Sequence, residues 1–116
     1  MIKLYGIKKC NSMKKAMQWL DAADLEWELI DYKNVGVVEQ CLPDWCSRVG
    51  WQVLLNRQGL SWKKLEAAQR EGIDETSACA LMKQYPTLIK RPVLDSGKAL
   101  LVGFDAECYR QRLLTA

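Results

Sequence analysis

Ile2-Lys3-Leu4-Tyr5-Gly6-Ile7-Lys8-Lys9-Cys10-Asn11-Ser12-Met13 is the stretch on which the fold turns. Ile2 and Leu4 alternate with Lys3 and Tyr5 as far as Gly6, which is the period of a half-buried strand. The period then changes, because Met13, Ala16, Met17 and Leu20 recur at helical spacing. Cys10 falls in the short connection, at or just before the start of a helix. Unpaired backbone N–H groups and the positive end of the helix dipole favour an anion there, and Lys8 and Lys9 add charge of the same sign. A free thiol with a pKa of about 8.5 is only a few per cent ionised at neutral pH, whereas one lowered to roughly 6 is about ninety per cent thiolate. The chemistry of the stretch is therefore that of a nucleophilic cysteine. The bland alternative is a small apolar residue closing a strand, since free cysteine is among the most often buried types.

Working outward, the first helix should end near Ala23-Asp24, and Trp27 and Leu29 then alternate with Glu26, Glu28 and Asp31 in a second strand. Strand, helix and strand within about thirty residues make a βαβ unit with parallel strands. From about Val38 to Tyr85 the pattern is helical. Val38, Cys41, Leu42, Trp45 and Val49 share one face, as do Ala78, Leu81, Met82 and Tyr85. Gly50, Gly59 and Gly72 break this region, and Ser61 is positioned to cap a short helix through Glu66. After Tyr85-Pro86 strand patterns return. Val93-Leu94 and Ala99-Leu100-Leu101-Val102 flank the turn signal Asp95-Ser96-Gly97-Lys98, which predicts an antiparallel hairpin, and Asp105 caps a last helix reaching about Leu114. The predicted fold class is α/β, a single thioredoxin-like domain over 1–116. It combines a mixed four-stranded sheet, helices on both faces, a core at 1–35 and 87–116, and a helical insertion at about 36–86.

Composition narrows the function. With 116 residues, 49% of them hydrophobic, one core is expected. The net charge of +3 is mild and the acidic residues are interleaved, so the expectation is no nucleic-acid partner and no membrane, with an anionic small molecule the better fit. No stretch approaches the roughly eighteen apolar residues that cross a bilayer, and the chain opens directly on a strand pattern; the expected location is cytoplasmic. Five cysteines are an odd number without regular spacing, which argues against a disulfide scaffold. Histidine is absent, so no metal is expected and histidine-based catalysis is excluded.

Several segments together resemble the arsenate reductase (ArsC)/Spx family. They are Leu4 to Ala16, Leu54-Leu55-Asn56-Arg57, Leu81-Met82-Lys83-Gln84-Tyr85-Pro86 and Ile89-Lys90-Arg91-Pro92-Val93-Leu94. The Gly-Ile-Lys-x-Cys opening and the Trp62-Lys63-Lys64-Leu65 segment most resemble its YffB branch. The resemblance implies a thioredoxin fold with a helical insert, Cys10 as catalytic cysteine, glutathione as thiol partner and co-substrate rather than bound cofactor, and a cis Pro92 beside the cysteine. Arg91 matches the arginine of the family's Arg-Pro, and Arg57 lies in its central arginine-bearing segment. The third family arginine falls where this chain reads Leu101-Val102-Gly103-Phe104, which predicts weak arsenate binding, because paired hydrogen bonds from arginine forks hold such oxyanions. Where Spx regulators carry a second cysteine, this chain has Met13.

A lone thiol needs a second one to release its mixed disulfide, and glutathione is the abundant cytoplasmic candidate. The reading favoured is a glutathione-dependent thiol–disulfide reductase acting on a disulfide-containing protein or small molecule. Cys10 and Arg91 form its catalytic pair, and Lys8, Lys9, Asn11, Arg57, Lys90 and Pro92 contact the substrate. The alternatives are an Spx-like regulatory binding module, with a protein partner, and an arsenate reductase with an incomplete oxyanion site. Cys41, Cys79 and Cys108 read as packing residues, Cys46 as an exposed one. Trp19, Trp27 and Trp45 read as core anchors, and Trp51 and Trp62 stand out as candidates for a protein-facing patch.

Overall fold

The computed structural model describes residues 1–34 and 36–114. In chain order the elements are β1 (Ile2–Gly6), α1 (Asn11–Ala22), β2 (Trp27–Asp31), α2 (Val37–Val49), α3 (Trp51–Leu54), α4 (Leu60–Lys63), α5 (Ala67–Arg70), α6 (Glu75–Gln84), β3 (Val93–Asp95), β4 (Leu100–Val102) and α7 (Ala106–Tyr109). A 3-10 turn occupies Pro86–Leu88, and a π-helical stretch, Arg110–Leu114, continues α7. They fall into two compact units, Met1–Asn34 with Arg91–Ala116, and Val35–Lys90.

The first unit holds the sheet, ordered β2-β1-β3-β4. β1 and β2 run parallel, Leu4 opposite Leu29, and α1 supplies the crossover that parallel pairing demands. β1 pairs antiparallel with β3, and β3 with β4, so that Leu4, Leu94 and Leu101 stand side by side across three strands. They share one core with Ile2, Met13, Ala16, Leu20, Ala99 and Tyr109. The helical period read from Met13, Ala16 and Leu20 is thus the buried stripe of α1. Full burial of a leucine such as Leu4 or Leu94 contributes about 1.5–3 kcal/mol. Within this unit α1 and α7 cover the same face of the sheet; Tyr5 and Val93, one residue out of phase, are buried on the opposite face. This mixed sheet is thioredoxin-like.

Local chemistry explains the punctuation. The hairpin loop closes as its composition predicts, with the Gly97 N–H donating to Asp95 Oδ1 at 2.9 Å and the Ser96 N–H to the Ala99 carbonyl at 3.0 Å. Asp105 caps α7, accepting from the Cys108 N–H at 3.0 Å. Gly6, the last residue of β1, lies against the Met13 side chain. A Cβ on it would stand 2.9 Å from Met13 Cε and closer still to the sulfur. The fully buried Met13 side chain therefore lies directly on the strand end that leads to Cys10.

The second unit is helical. Val38, Leu42 and Trp45 of α2 and Ala78, Leu81 and Met82 of α6 are buried, as their spacing indicates, while Cys41 and Val49 are half-buried. Tyr85 lies past the end of α6 and is exposed. Ser61 is not a cap: Gly59 holds that position, and the Ser61 hydroxyl sits inside α4 paired with Thr87 Oγ1 at 2.6 Å. The better cap in this region is Asp74, which forms a reciprocal capping box with Ser77 at the start of α6. The segment 86–90 belongs to this unit because its backbone is tied to α3 and the residues just after it. The Asn56 N–H donates to the Leu88 carbonyl, the Lys90 N–H to the Leu54 carbonyl, each at 2.8 Å, and Leu55 bridges Ile89.

Candidate active site

Cys10 takes the N-cap position of α1, with extended backbone angles of −94° and 139°. Its own N–H donates to the Ile7 carbonyl at 3.3 Å, and its carbonyl accepts from the Lys14 N–H at 3.0 Å, so the backbone on both sides of the sulfur is fixed. As a neutral thiol it makes no capping bond to the first turn. Ionised, it is the acceptor that the turn lacks. Burial alone would raise the thiol, but the amides of Met13 and Ser12 and the Arg91 guanidinium, acting through charge and hydrogen bonding, outweigh it and hold Cys10 below the ordinary thiol value. No acidic residue lies in the first turn to oppose this. Cys10 is a free, half-buried thiol, which leaves its sulfur within reach of a partner.

Arg91 enters from the far side of the sequence. The Arg91–Pro92 peptide is cis, as the family resemblance implied, and leads straight into β3. The Pro92 carbonyl accepts from the Gly103 N–H at 2.8 Å. Gly103 has φ +79°, and its own carbonyl accepts from the Tyr109 hydroxyl at 3.3 Å. A chain of hydrogen bonds from the Tyr109 side chain of α7 through Gly103 thus fixes the proline that follows Arg91. This placement uses the Pro92 carbonyl, so the backbone there offers less to a ligand than its neighbourhood in sequence implies.

Tyr32 is the residue that sequence reasoning missed. It follows β2, is 1% exposed, and its N–H donates to the Gly6 carbonyl at 3.1 Å. Burial pushes its phenol well above the ordinary value; the Arg91 charge opposes the shift and Cys10 adds to it. Tyr32 is therefore close enough to feel both groups and stays protonated. A tyrosine one residue after a strand reads in sequence as one more core aromatic, and no spacing rule links it to Cys10.

Lys8 and Lys9 are exposed in the turn before Cys10, and Asn11 is exposed as the first residue of α1. Pro92 is buried. Arg57 and Lys90 belong to the helical unit. There the Arg57 guanidinium lies over two tryptophan rings, 5.9 Å from the centroid of Trp51 and 5.5 Å from that of Trp62, which is where those two residues find a partner. Cys108 is half-buried against the core of the first unit. Cys46, expected to be exposed, is instead half-buried against Cys79. Among the described residues no cluster of three or more histidine, cysteine or acidic side chains can hold a metal ion, and no helix is long and apolar enough to cross a membrane.

A thiol held toward thiolate at the start of α1, an arginine beside it and a cis proline leading into β3 define a thiol oxidoreductase of thioredoxin-like fold. The chain belongs to the ArsC family, whose model matches residues 5–112. An uncharacterised protein of Haemophilus influenzae is 39% identical over 111 residues, 95% of this chain and 96% of that one. The solved YffB protein is 45% identical and superposes with a TM-score of 0.91 over 97% of this chain and 99% of its own. An arsenate reductase (ArsC) related protein from Brucella melitensis is 37% identical, with a TM-score of 0.77 over 98% of this chain and 95% of its own.

Proposed function

We propose that this protein is a glutathione-dependent thiol–disulfide reductase in which Cys10 is the single nucleophile. The observation that carries the reading is the Cys10 thiol, lowered by the Ser12 and Met13 amides and by Arg91. With a substrate thiol joined to glutathione, the Cys10 thiolate attacks the glutathione sulfur. An S–S bond forms to Cys10 as the substrate's bond breaks, and the substrate sulfur leaves as a thiolate that takes up a proton. A second glutathione thiolate then attacks the mixed disulfide, restoring Cys10 and leaving as oxidised glutathione. Met13, buried against Gly6, is no resolving thiol, which supports an external one. Glutathione is anionic at neutral pH, and the exposed Lys8 and Lys9 with Arg91 suit its carboxylates; Asn11 and Pro92 complete the contacts of this reading within the first unit.

The test is turnover of a glutathione mixed disulfide, followed by coupled reduction of the oxidised glutathione formed. Cys10→Ser should fall to the uncatalysed background while Cys108→Ser retains activity. Turnover that survives in Cys10→Ser would overturn the reading. Arg91 beside the thiol also supports arsenate as a second substrate. Against it, Gly103 and Phe104 after β4 supply no cation, and the Gly103 N–H is committed to Pro92. Arsenate is therefore expected to be turned over far more slowly, and arsenate-dependent oxidation of glutathione measures it.

A further inference from the structure

Cys46 on α2 and Cys79 on α6 lie thirty-three residues apart in sequence, and their thiols share a hydrogen bond with the sulfurs 3.3 Å apart. Both are reduced and half-buried, and each follows a buried residue of its helix, Trp45 or Ala78. A disulfide needs sulfurs about 2.05 Å apart. About 1.3 Å of approach therefore separates this pair from a bond. Packing alone does not require two sulfurs to meet, since any small apolar pair would fill the same volume.

We propose that Cys46 and Cys79 are a second redox site, which a peroxide converts to an intramolecular disulfide stapling α2 to α6. In the first step the thiolate of one cysteine attacks the peroxide. An S–O bond forms, the O–O bond breaks, and the departing oxygen leaves as water with the proton released by the thiol. The sulfenic acid so formed is attacked by the neighbouring sulfur. The S–S bond forms, the S–O bond breaks, and a second water leaves; two thiols and one hydrogen peroxide have become one disulfide and two waters. The site does not pass through Cys10, and it works at a different pace. Burial, then the Cys79 thiol and Glu75, push Cys46 up to about 12 against the opposing charge of Lys83, so little thiolate is present at neutral pH and the pair yields only to sustained oxidation.

The experiment treats the full-length protein and its Cys10→Ser variant with hydrogen peroxide, blocks remaining thiols with an alkylating agent, and maps peptides without reduction. Digestion with trypsin and an Asp-specific protease cuts at Asp44, separating Cys46 from Cys41. The expected result is a Cys46–Cys79 linked peptide in both proteins, and a thermal midpoint raised by several degrees on oxidation that Cys79→Ala no longer shows. Cys46 and Cys79 alkylated separately, or carried on to sulfinic acids without a link, would overturn the proposal. The labelling of Cys10 in the same digest reports on the reductase reading separately.

Discussion

Arg91 bears on the Cys10 thiol across the junction of β1 and β3, adding both charge and hydrogen bonding to the amides of Ser12 and Met13. The two residues are eighty-one positions apart, yet the antiparallel pairing of Tyr5 with Val93 brings the two segments that carry them together. Removing the guanidinium in Arg91→Ala is therefore expected to raise the thiol toward its ordinary value. Once the thiol lies above pH 7, each further unit of rise cuts the thiolate present there about tenfold, so alkylation of Cys10 by iodoacetamide at pH 7 should slow. Arg91→Lys should fall between, since it keeps the charge and loses the fork.

The lowered thiol also sets a pH dependence of stability. Its folded value lies below its unfolded value of 9.0, so the folded state binds the proton less tightly. The stabilisation is fully present above the unfolded value and is lost as pH falls through the folded one. Unfolding of the wild type and of Cys10→Ser in urea, compared across this window, should show the wild type gaining relative stability as pH rises. A constant difference would contradict the assigned environment.

Tyr32 and Tyr109 supply the opposite sign. Burial raises both phenols, well above the ordinary 10.0 in the case of Tyr32. They add stability below the unfolded value, and it is lost as pH rises above it. An ultraviolet titration should therefore show Tyr32 and Tyr109 ionising only as the protein unfolds in alkali.

Gly6→Ala tests the close approach beneath the active site. A methyl group there meets the end of the fully buried Met13 side chain, which must shift to admit it. A loss of about 1–3 kcal/mol in urea unfolding is expected, together with slower Cys10 alkylation, because the Met13 amide is among the groups that favour its thiolate. Asp105→Ala, by contrast, should cost about 1 kcal/mol through the lost cap and leave Cys10 reactivity unchanged.

How far the sequence led depends on the range of the interactions involved. Periodicity located β1, α1, β2 and the hairpin because each signal is local, and Asp105 could be read as a cap because its acceptor and donor are three residues apart. The lowered Cys10 thiol at a helix start was legible for the same reason: strand, thiol and helix start are contiguous. Arg91 became legible only through family resemblance. Tyr32, the Cys46–Cys79 contact and the stacking of Arg57 between Trp51 and Trp62 were not legible, since each depends on where separate elements come to rest. Ser61 misled because a serine ahead of a short helical pattern fits a cap, whereas the hydroxyl finds a partner in Thr87, twenty-six residues away.

The most direct test of the central claim is the pH dependence of glutathione uptake at each cysteine, mapped by peptide mass spectrometry after brief exposure to oxidised glutathione from about pH 5 to about pH 9. Cys10 should be modified first, with an inflection below that of an ordinary thiol, and be released by reduced glutathione. If Cys10 reacts no faster than Cys41 or Cys108, or reacts only as an ordinary thiol does, it is not the nucleophile and the account is wrong.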